Sequence, residues 1–200
     1  MAPTFVLATQ NTHKLGEIRA ILAETGWLLL GQDDVVPGLA VEETGTTFAE
    51  NAALKAEAVM HATGLPTLAD DSGLVVEVLD GAPGVHSARY AAQGNHRANL
   101  DLLLRNLRVR TGGDFTDVKA RFVCVVALAE PGKAVQYFEG SCEGRIIATP
   151  AGTGGFGYDP VFVPSGENRT LAELGDSRKN ELSHRGKAFR EVVRALFGRT

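Results

Sequence analysis

Cysteine is almost absent from this chain: two among 200 residues, Cys124 and Cys142. So few cannot form the disulfide framework of a small secreted scaffold. Cys124, inside the apolar run RFVCVVALA, reads as a core residue. No stretch approaches the roughly 18 apolar residues of a membrane span. The start, MAPTFVLATQN, carries neither a basic region nor a long apolar one, so no secretory signal is expected. These absences lead to the expectation of a cytoplasmic protein without membrane attachment. Positive charge is not in surplus either: Lys and Arg number 20 against 24 Asp and Glu, a net charge of -4. No global field draws such a chain to nucleic acid, and any polyanion it binds has to meet local positive charge. What is present is ordinary for a globular protein, with 44% hydrophobic and 22% charged residues. A chain of this length can bury a sizeable core as one domain, with room for two lobes. There is no internal repeat, low-complexity tract or linker.

Apolar spacing orders the elements. TFVLAT, from Thr4 to Thr9, predicts a buried strand, and a polar turn follows at Gln10-Asn11-Thr12. Leu15, Ile18, Ile21 and Leu22 then share one helical face up to Gly26, and Trp27 to Leu30 predicts a strand. Thr47-Phe-Ala-Glu50 has the form of a capping box and predicts a helix to about residue 62. Thr67–Ala69 and Leu74–Leu79 read as two strands around a turn at Asp70-Asp71-Ser72-Gly73. A helix is expected over Arg97–Val109, then three strands at Arg121–Ala129, Ala134–Glu139 and Glu143–Ala148, spaced as an antiparallel meander. A last helix carries the stripe Phe189, Val192, Val193, Leu196 and Phe197. Alternation early and clustered strands late predict an α/β protein with a mixed sheet.

Several stretches could carry chemistry. In ATQNTHK, residues 8–14, a strand runs through a polar turn into a helix with Lys14 in its first turns. Helix N-terminal N–H groups attract anions, and the alternative is an ordinary capped helix with a solvated lysine. In LADDSG, residues 68–73, two carboxylates follow an apolar strand. Hard cations take such oxygen ligands, while Asp-Asp-Ser-Gly is equally good turn chemistry. Glu42 and Glu43 precede the capped helix and either complement its dipole or supply a second metal carboxylate.

GTGGFGYDP, residues 152–160, contains G-x-G-x-x-G, the dinucleotide fingerprint. That fingerprint requires a helix to open directly after it. Here Tyr158-Asp159-Pro160 and the strand-like Val161-Phe162-Val163 follow instead. A Rossmann site is therefore not expected. Phe156, alone among glycines, has little local packing and offers a flat face to a flat ligand. Lys179, His184 and Arg185 cluster downstream as donors, although Ser183 as an N-cap would make the last two ordinary first-turn residues.

The ordered set ATQNTHKLGEI, EETGTTFAENAALKA, ADDSGL, GAPGVHSARYA, GTGGFGYDPVF and SHRGKA resembles the inosine triphosphate pyrophosphatase family, its bacterial dITP/XTP branch in particular. The motifs run from residue 6 to residue 189. The resemblance implies an elongated mixed sheet flanked by helices. It implies one domain over residues 1–200, two lobes with a central substrate cleft, and a homodimer. It implies Mg2+-dependent hydrolysis of ITP, dITP and XTP to the monophosphate and pyrophosphate, which cleanses the nucleotide pool. Thr9, Gln10, Asn11, Thr12, His13 and Lys14 would hold phosphates, with Lys55 also on the substrate. Asp71 would be the catalytic acid and a metal ligand, Glu43 the second metal ligand, and Ser72 and Arg89 would touch substrate. Phe156, Gly157, Tyr158 and Asp159 would hold the base, completed by Lys179, His184 and Arg185. Gln10 stands where the family often has glycine.

Two rival functions remain at this level. A Maf-type pyrophosphatase acting on dTTP or UTP would share the fold, and GTGGFGYDP and SHRGKA argue against it. A non-catalytic nucleotide-binding module should have lost Asp71 or Lys14, and both are present.

Overall fold

Phe5-Val6-Leu7 is apolar without interruption because the strand it forms is covered on both faces. The computed structural model describes residues 2–198. In chain order the elements are β1 (Thr4–Leu7), α1 (Thr12–Ile21), β2 (Leu28–Gly31), the short α2 (Gln32–Val35) and α3 (Phe48–Thr63). Then come β3 (Thr67–Val76), α4 (His96–Thr111), β4 (Val118–Ala129), β5 (Gln136–Ile146), β6 (Phe162–Pro164), α5 (Asp176–Leu182) and α6 (His184–Phe197). The strands form one mixed sheet in the order β2-β1-β3-β4-β5-β6. β1 is parallel to both β2 and β3, and β6 is antiparallel to β5. The α/β class with helices around a mixed sheet is as expected from the sequence. Among the described residues no helix is long and apolar enough to cross a membrane.

The chain divides into two compact units. The first contains the residues up to Asp71, Cys124–Gly140 and those from Arg185 onward. Strand alternation gives it two different faces. Phe5, Leu7, Leu68, Val126 and Leu128 pack with Ile18 and Leu22 and with Ala188, Phe189 and Val192 of α6. Val6, Ala8, Ala69, Ala127 and Ala129 pack with Ala52, Ala56, Val59 and Met60 of α3. Small residues on both sides of that second interface let α3 lie close to the strands. Thr47 and Glu50 form the capping box that starts α3, and Gly64 ends it at φ 69°.

The second unit, Ser72–Val123 and Ser141–His184, has its own core. Leu100, Leu103, Leu104 and Leu107 form the helical stripe of α4 and pack with Phe115, Phe122, Ile146, Tyr158 and Phe162.

Three expectations are corrected. Asp70-Asp71-Ser72-Gly73 makes no turn: β3 runs unbroken from Thr67 to Val76. Its two carboxylates can be buried in a strand because cations meet them there. The two strands expected between Ala134 and Ala148 are one, β5, since inward Gly140 and Cys142 alternate with outward neighbours and continue the period. Gly144 lets β6 approach, because a Cβ there would overlap the Val163 carbonyl. The strand expected to reach Thr9 ends at Leu7. α2 and α5 carry no clear apolar period and were not legible.

Candidate active site

Consecutive residues of a strand face opposite sides, and this sorts the paired acids of β3. Asp70 follows Leu68 on the face that packs on α1 and α6. Asp71 follows Ala69 on the face that packs on α3. Each therefore meets different cations, all within the first unit.

Asp70 is fully buried and acts as a hub. Its Oδ2 lies 3.1 Å from Lys14 Nζ and accepts from Arg185 Nη2 and Nε at 3.1 and 3.3 Å. Arg185 Nη1 also donates to Glu17 Oε2 at 2.5 Å. Burial opposes the charge on Asp70, but Lys14 and Arg185 outweigh it and hold the carboxyl well below the usual range. Burial likewise opposes the Arg185 charge, and Asp70 and Glu17 raise its pKa above the ordinary value. Burial pushes the neighbouring Cys124 thiol up, so the thiol stays protonated.

Asp71 lies under α3. Its Oδ2 accepts from Asn51 Nδ2 at 3.2 Å, and its Oδ1 is 3.6 Å from Lys55 Nζ. The same Lys55 nitrogen donates to Glu43 Oε1 at 2.6 Å. Asn51 and Lys55 are four apart and share a helical face. Burial raises the Asp71 pKa, Lys55 and Lys14 oppose that, and Glu43 and Asp70 add to it; the net direction is upward. Lys55 loses by burial and gains more from Asp71 and Glu43, so it remains a cation. Of the two adjacent glutamates, Glu43 engages Lys55 and Glu42 is exposed.

The turn before α1 differs from a bare anion nest. Asn11 caps the helix, its Oδ1 accepting from the N–H groups of His13 and Lys14 at 3.0 and 3.1 Å. Asn11 N–H in turn donates to Thr9 Oγ1 at 3.2 Å. Two of the N–H groups expected for phosphate thus already have an acceptor, which leaves the Lys14 ammonium as the charge offered there. Gln10 is exposed, and Thr12 opens α1.

A second group lies in the second unit. Lys179 Nζ donates to Asp159 Oδ2 at 2.7 Å, with both side chains buried. The same oxygen accepts from Phe156 N–H at 2.9 Å. The Lys179 ammonium stands 4.9 Å from the centroid of the Phe156 ring, and the His96 ring stands 5.8 Å from it. Phe156 is thus a half-buried ring framed by a cation and an imidazole. Tyr158 is buried, and its hydroxyl donates to the Ser87 carbonyl at 2.9 Å, which makes it a pillar under the loop. His184 is buried and stacked on Phe122, with ring centroids 4.7 Å apart. Ser72, in β3, and Arg89, at the end of a 3-10 turn, are half-buried in this unit.

The glycines of GTGGFGYDP have packing reasons. A Cβ on Gly152 would come within 2.6 Å of the Ala172 carbonyl carbon, and one on Gly155 would overlap the Asp159 carboxylate. A 3-10 turn, Asp159–Val161, and then β6 follow the loop, so no helix opens there.

Among the expected site residues, the structure brings Lys14, Glu43, Lys55, Asp71 and Arg185 into one unit's polar network. It brings Phe156, Asp159 and Lys179 together in the other. Arg185, expected among the base-holding residues, also joins the first unit's network, its guanidinium donating to Asp70 and Glu17. Asn51, Glu17 and His96 were not singled out from sequence. The one available signal was spacing, with Asn51 four residues before Lys55 and Glu17 three after Lys14.

The Ham1 family profile matches residues 5–195. A Streptomyces avermitilis protein named dITP/XTP pyrophosphatase is 53% identical over 201 residues, covering 96% of this chain and 98% of its own. A Thermus thermophilus protein of the same name is 48% identical, covering 95% and 90%. Among solved structures, a HAM1 protein from Coxiella burnetii superposes with a TM-score of 0.87 at 40% identity, covering 98% of this chain and 99% of that one.

Proposed function

This chain belongs to the Ham1 family, and we infer that it hydrolyses deaminated purine nucleoside triphosphates, ITP, dITP and XTP, to the monophosphate and pyrophosphate. The observation that carries the reading is the pair of carboxylates, Glu43 and Asp71, that share the Lys55 ammonium beside the Lys14–Asp70 pair. A triphosphate brings several negative charges to a protein of net charge -4, so binding depends on such focused lysines. The names of the relatives and the match between motif order and family support the substrate class.

We propose Mg2+ as the divalent ion. Among the described residues no group of three His, Cys, Asp or Glu side chains could hold a metal alone. Mg2+ is usually bound by one or two carboxylates together with substrate phosphates and water, and Glu43 with Asp71 fits that donor set. When bound, the ion would neutralise phosphate charge and acidify a water.

The chain's own residues then have separable tasks. Asp71, its pKa raised by burial, orients the attacking water and accepts its proton. Lys14 and Lys55 stabilise charge building on the leaving pyrophosphate. Asp70 aims Lys14, and Arg185 secures Asp70. Phe156 stacks on the base, and Lys179, fixed by Asp159, donates to its C6 carbonyl. Tyr158 anchors that loop through the Ser87 carbonyl, and His184, stacked on Phe122, completes the base pocket with it. The reading takes the two units as two lobes of one domain that acts as a homodimer, as the family resemblance implies, and keeps the cytoplasmic location expected from the sequence.

A pyrophosphate-release assay with ITP and Mg2+ tests this reading. Pyrophosphate and IMP should form together, and EDTA should stop the reaction. Orthophosphate as the first product would rule it out.

A further inference from the structure

We propose that Asn51 is a positioning residue, a single buried amide that fixes Asp71 and the Glu43-bearing loop in one geometry. The inference rests on the reading of Asp71 and Glu43 as the working carboxylates.

Asn51 has 0% exposure, so both ends of its amide need partners. Nδ2 donates to Asp71 Oδ2 at 3.2 Å, and Oδ1 accepts from Gly45 N–H at 2.8 Å. The Gly45 N–H can only donate, so it dictates which way the amide points. The NH2 group is thereby turned to Asp71. That leaves Asp71 Oδ1 as the oxygen facing Lys55, at 3.6 Å.

The loop side is equally specific. Gly45 lies two residues after Glu43, and a Cβ there would stand 2.7 Å from Asn51 Oδ1 and 2.6 Å from Glu50 Cβ. Only glycine lets the loop reach the amide. Glu50 pins the next residues, accepting from Thr46 N–H at 2.7 Å and Thr47 N–H at 3.0 Å. The acidic loop is thus seated on the start of α3 through directional bonds.

Lys55 spans the same gap by charge, which anions can redirect. Asn51 is neutral and does not attract phosphate, so its contribution is geometric. Aspartate at this position would still accept from Gly45 but would oppose Asp71 with a second carboxylate. Leucine would satisfy neither end.

Wild type, Asn51→Asp and Gly45→Ala should be compared by pyrophosphate release from ITP, thermal unfolding and calorimetric titration with Mn2+. Both variants should lose about tenfold to a hundredfold in kcat, as for a misplaced catalytic group, with KM for ITP little changed and Mn2+ bound more weakly. Gly45→Ala alters a loop residue and leaves α3 intact, so it carries the test if Asn51→Asp does not fold. A folded variant with wild-type kcat and wild-type Mn2+ affinity overturns the proposal, as does a loss confined to KM. Absence of pyrophosphate release from wild type would defeat the functional reading separately. The Mn2+ titration would then decide the positioning role: weaker binding in the variants supports it, and unchanged binding overturns it.

Discussion

Asp70 and Asp71 are neighbours on β3, and their carboxyls are driven in opposite directions. Burial opposes ionisation of both. At Asp70 it is outweighed by Lys14 and Arg185, so the group is a fixed anion. At Asp71 burial prevails over Lys55 and Lys14, so the group holds a proton more readily than an ordinary carboxyl. Strand alternation produces the split by giving one acid to α1 and α6 and the other to α3. Asp70 therefore organises cations, and Asp71 is suited to proton transfer.

Asp71→Asn should lose more than about tenfold in kcat, at least ~1.4 kcal/mol of transition-state stabilisation, measured by pyrophosphate release. Its stability should behave differently. A carboxyl whose folded pKa is raised stabilises the fold below its unfolded value, about 3.9, and that contribution is lost as pH rises through the folded pKa. At neutral pH the variant should thus unfold at a temperature no lower than wild type. A variant that keeps most of its kcat would remove Asp71 from the chemistry.

Asp70→Asn should show the reverse pattern in stability. The change leaves Lys14 and Arg185 facing a neutral amide, and breaking a buried pair in this way costs about 3–5 kcal/mol. The folded pKa is depressed, so the Asp70 contribution is present above the unfolded value near 3.9 and is lost as pH falls through the folded one. Urea midpoints of wild type and variant should differ widely at neutral pH and converge below about pH 4. A constant difference across that range would mean that the pairing with Lys14 and Arg185 is not what the charge provides.

The sequence made the ends of elements more legible than the partners of charges. The Thr47–Glu50 capping box and the stripe of α6 are local patterns, and the helices follow them. Asp70-Asp71-Ser72-Gly73 misleads for the same reason, since local preference says turn while cations from α1, α3 and α6 make a buried acidic strand tolerable. Arg185 pairs with residues 115 and 168 positions away. No spacing rule reaches that far, so the contacts with Asp70 and Glu17 could not be read from the SHRGKA motif that places Arg185 beside Lys179 in sequence. Asn51 was hidden because an asparagine inside an alanine-rich helix has no periodic signature. Its meaning arises only when Gly45 and Asp71 meet its two ends.

Phe156→Ala should weaken ITP binding by about 1–3 kcal/mol, the usual worth of one base–aromatic stack. The ring is also the surface under the Lys179 ammonium and beside His96, so its loss loosens the donor as well. Equilibrium binding of a slowly hydrolysed ITP analogue would measure the effect apart from turnover. Unchanged affinity in a folded variant would reduce Phe156 to a packing residue.

Base selectivity separates Lys179 from Arg185. Hypoxanthine and xanthine offer a carbonyl at C6, whereas adenine offers an amino donor. The Lys179 ammonium, pinned to Asp159 at 2.7 Å, can only donate. Against adenine it meets another donor, and a buried donor without an acceptor costs about 1–3 kcal/mol, roughly tenfold to a hundredfold. Guanine shares the C6 carbonyl, so this contact does not discriminate against GTP. Lys179→Met should therefore narrow the ITP-over-ATP ratio of kcat/KM and leave the ITP-over-GTP ratio nearly unchanged. Arg185→Ala should behave otherwise, because its guanidinium serves Asp70 and Glu17. It should lower kcat/KM for ITP, ATP and GTP by the same factor. Ratios are the right readout, since any general damage from removing a buried cation cancels between nucleotides measured on one protein. If Arg185→Ala narrows the ITP-over-ATP ratio while Lys179→Met does not, Arg185 reads the base and Lys179 only supports the loop.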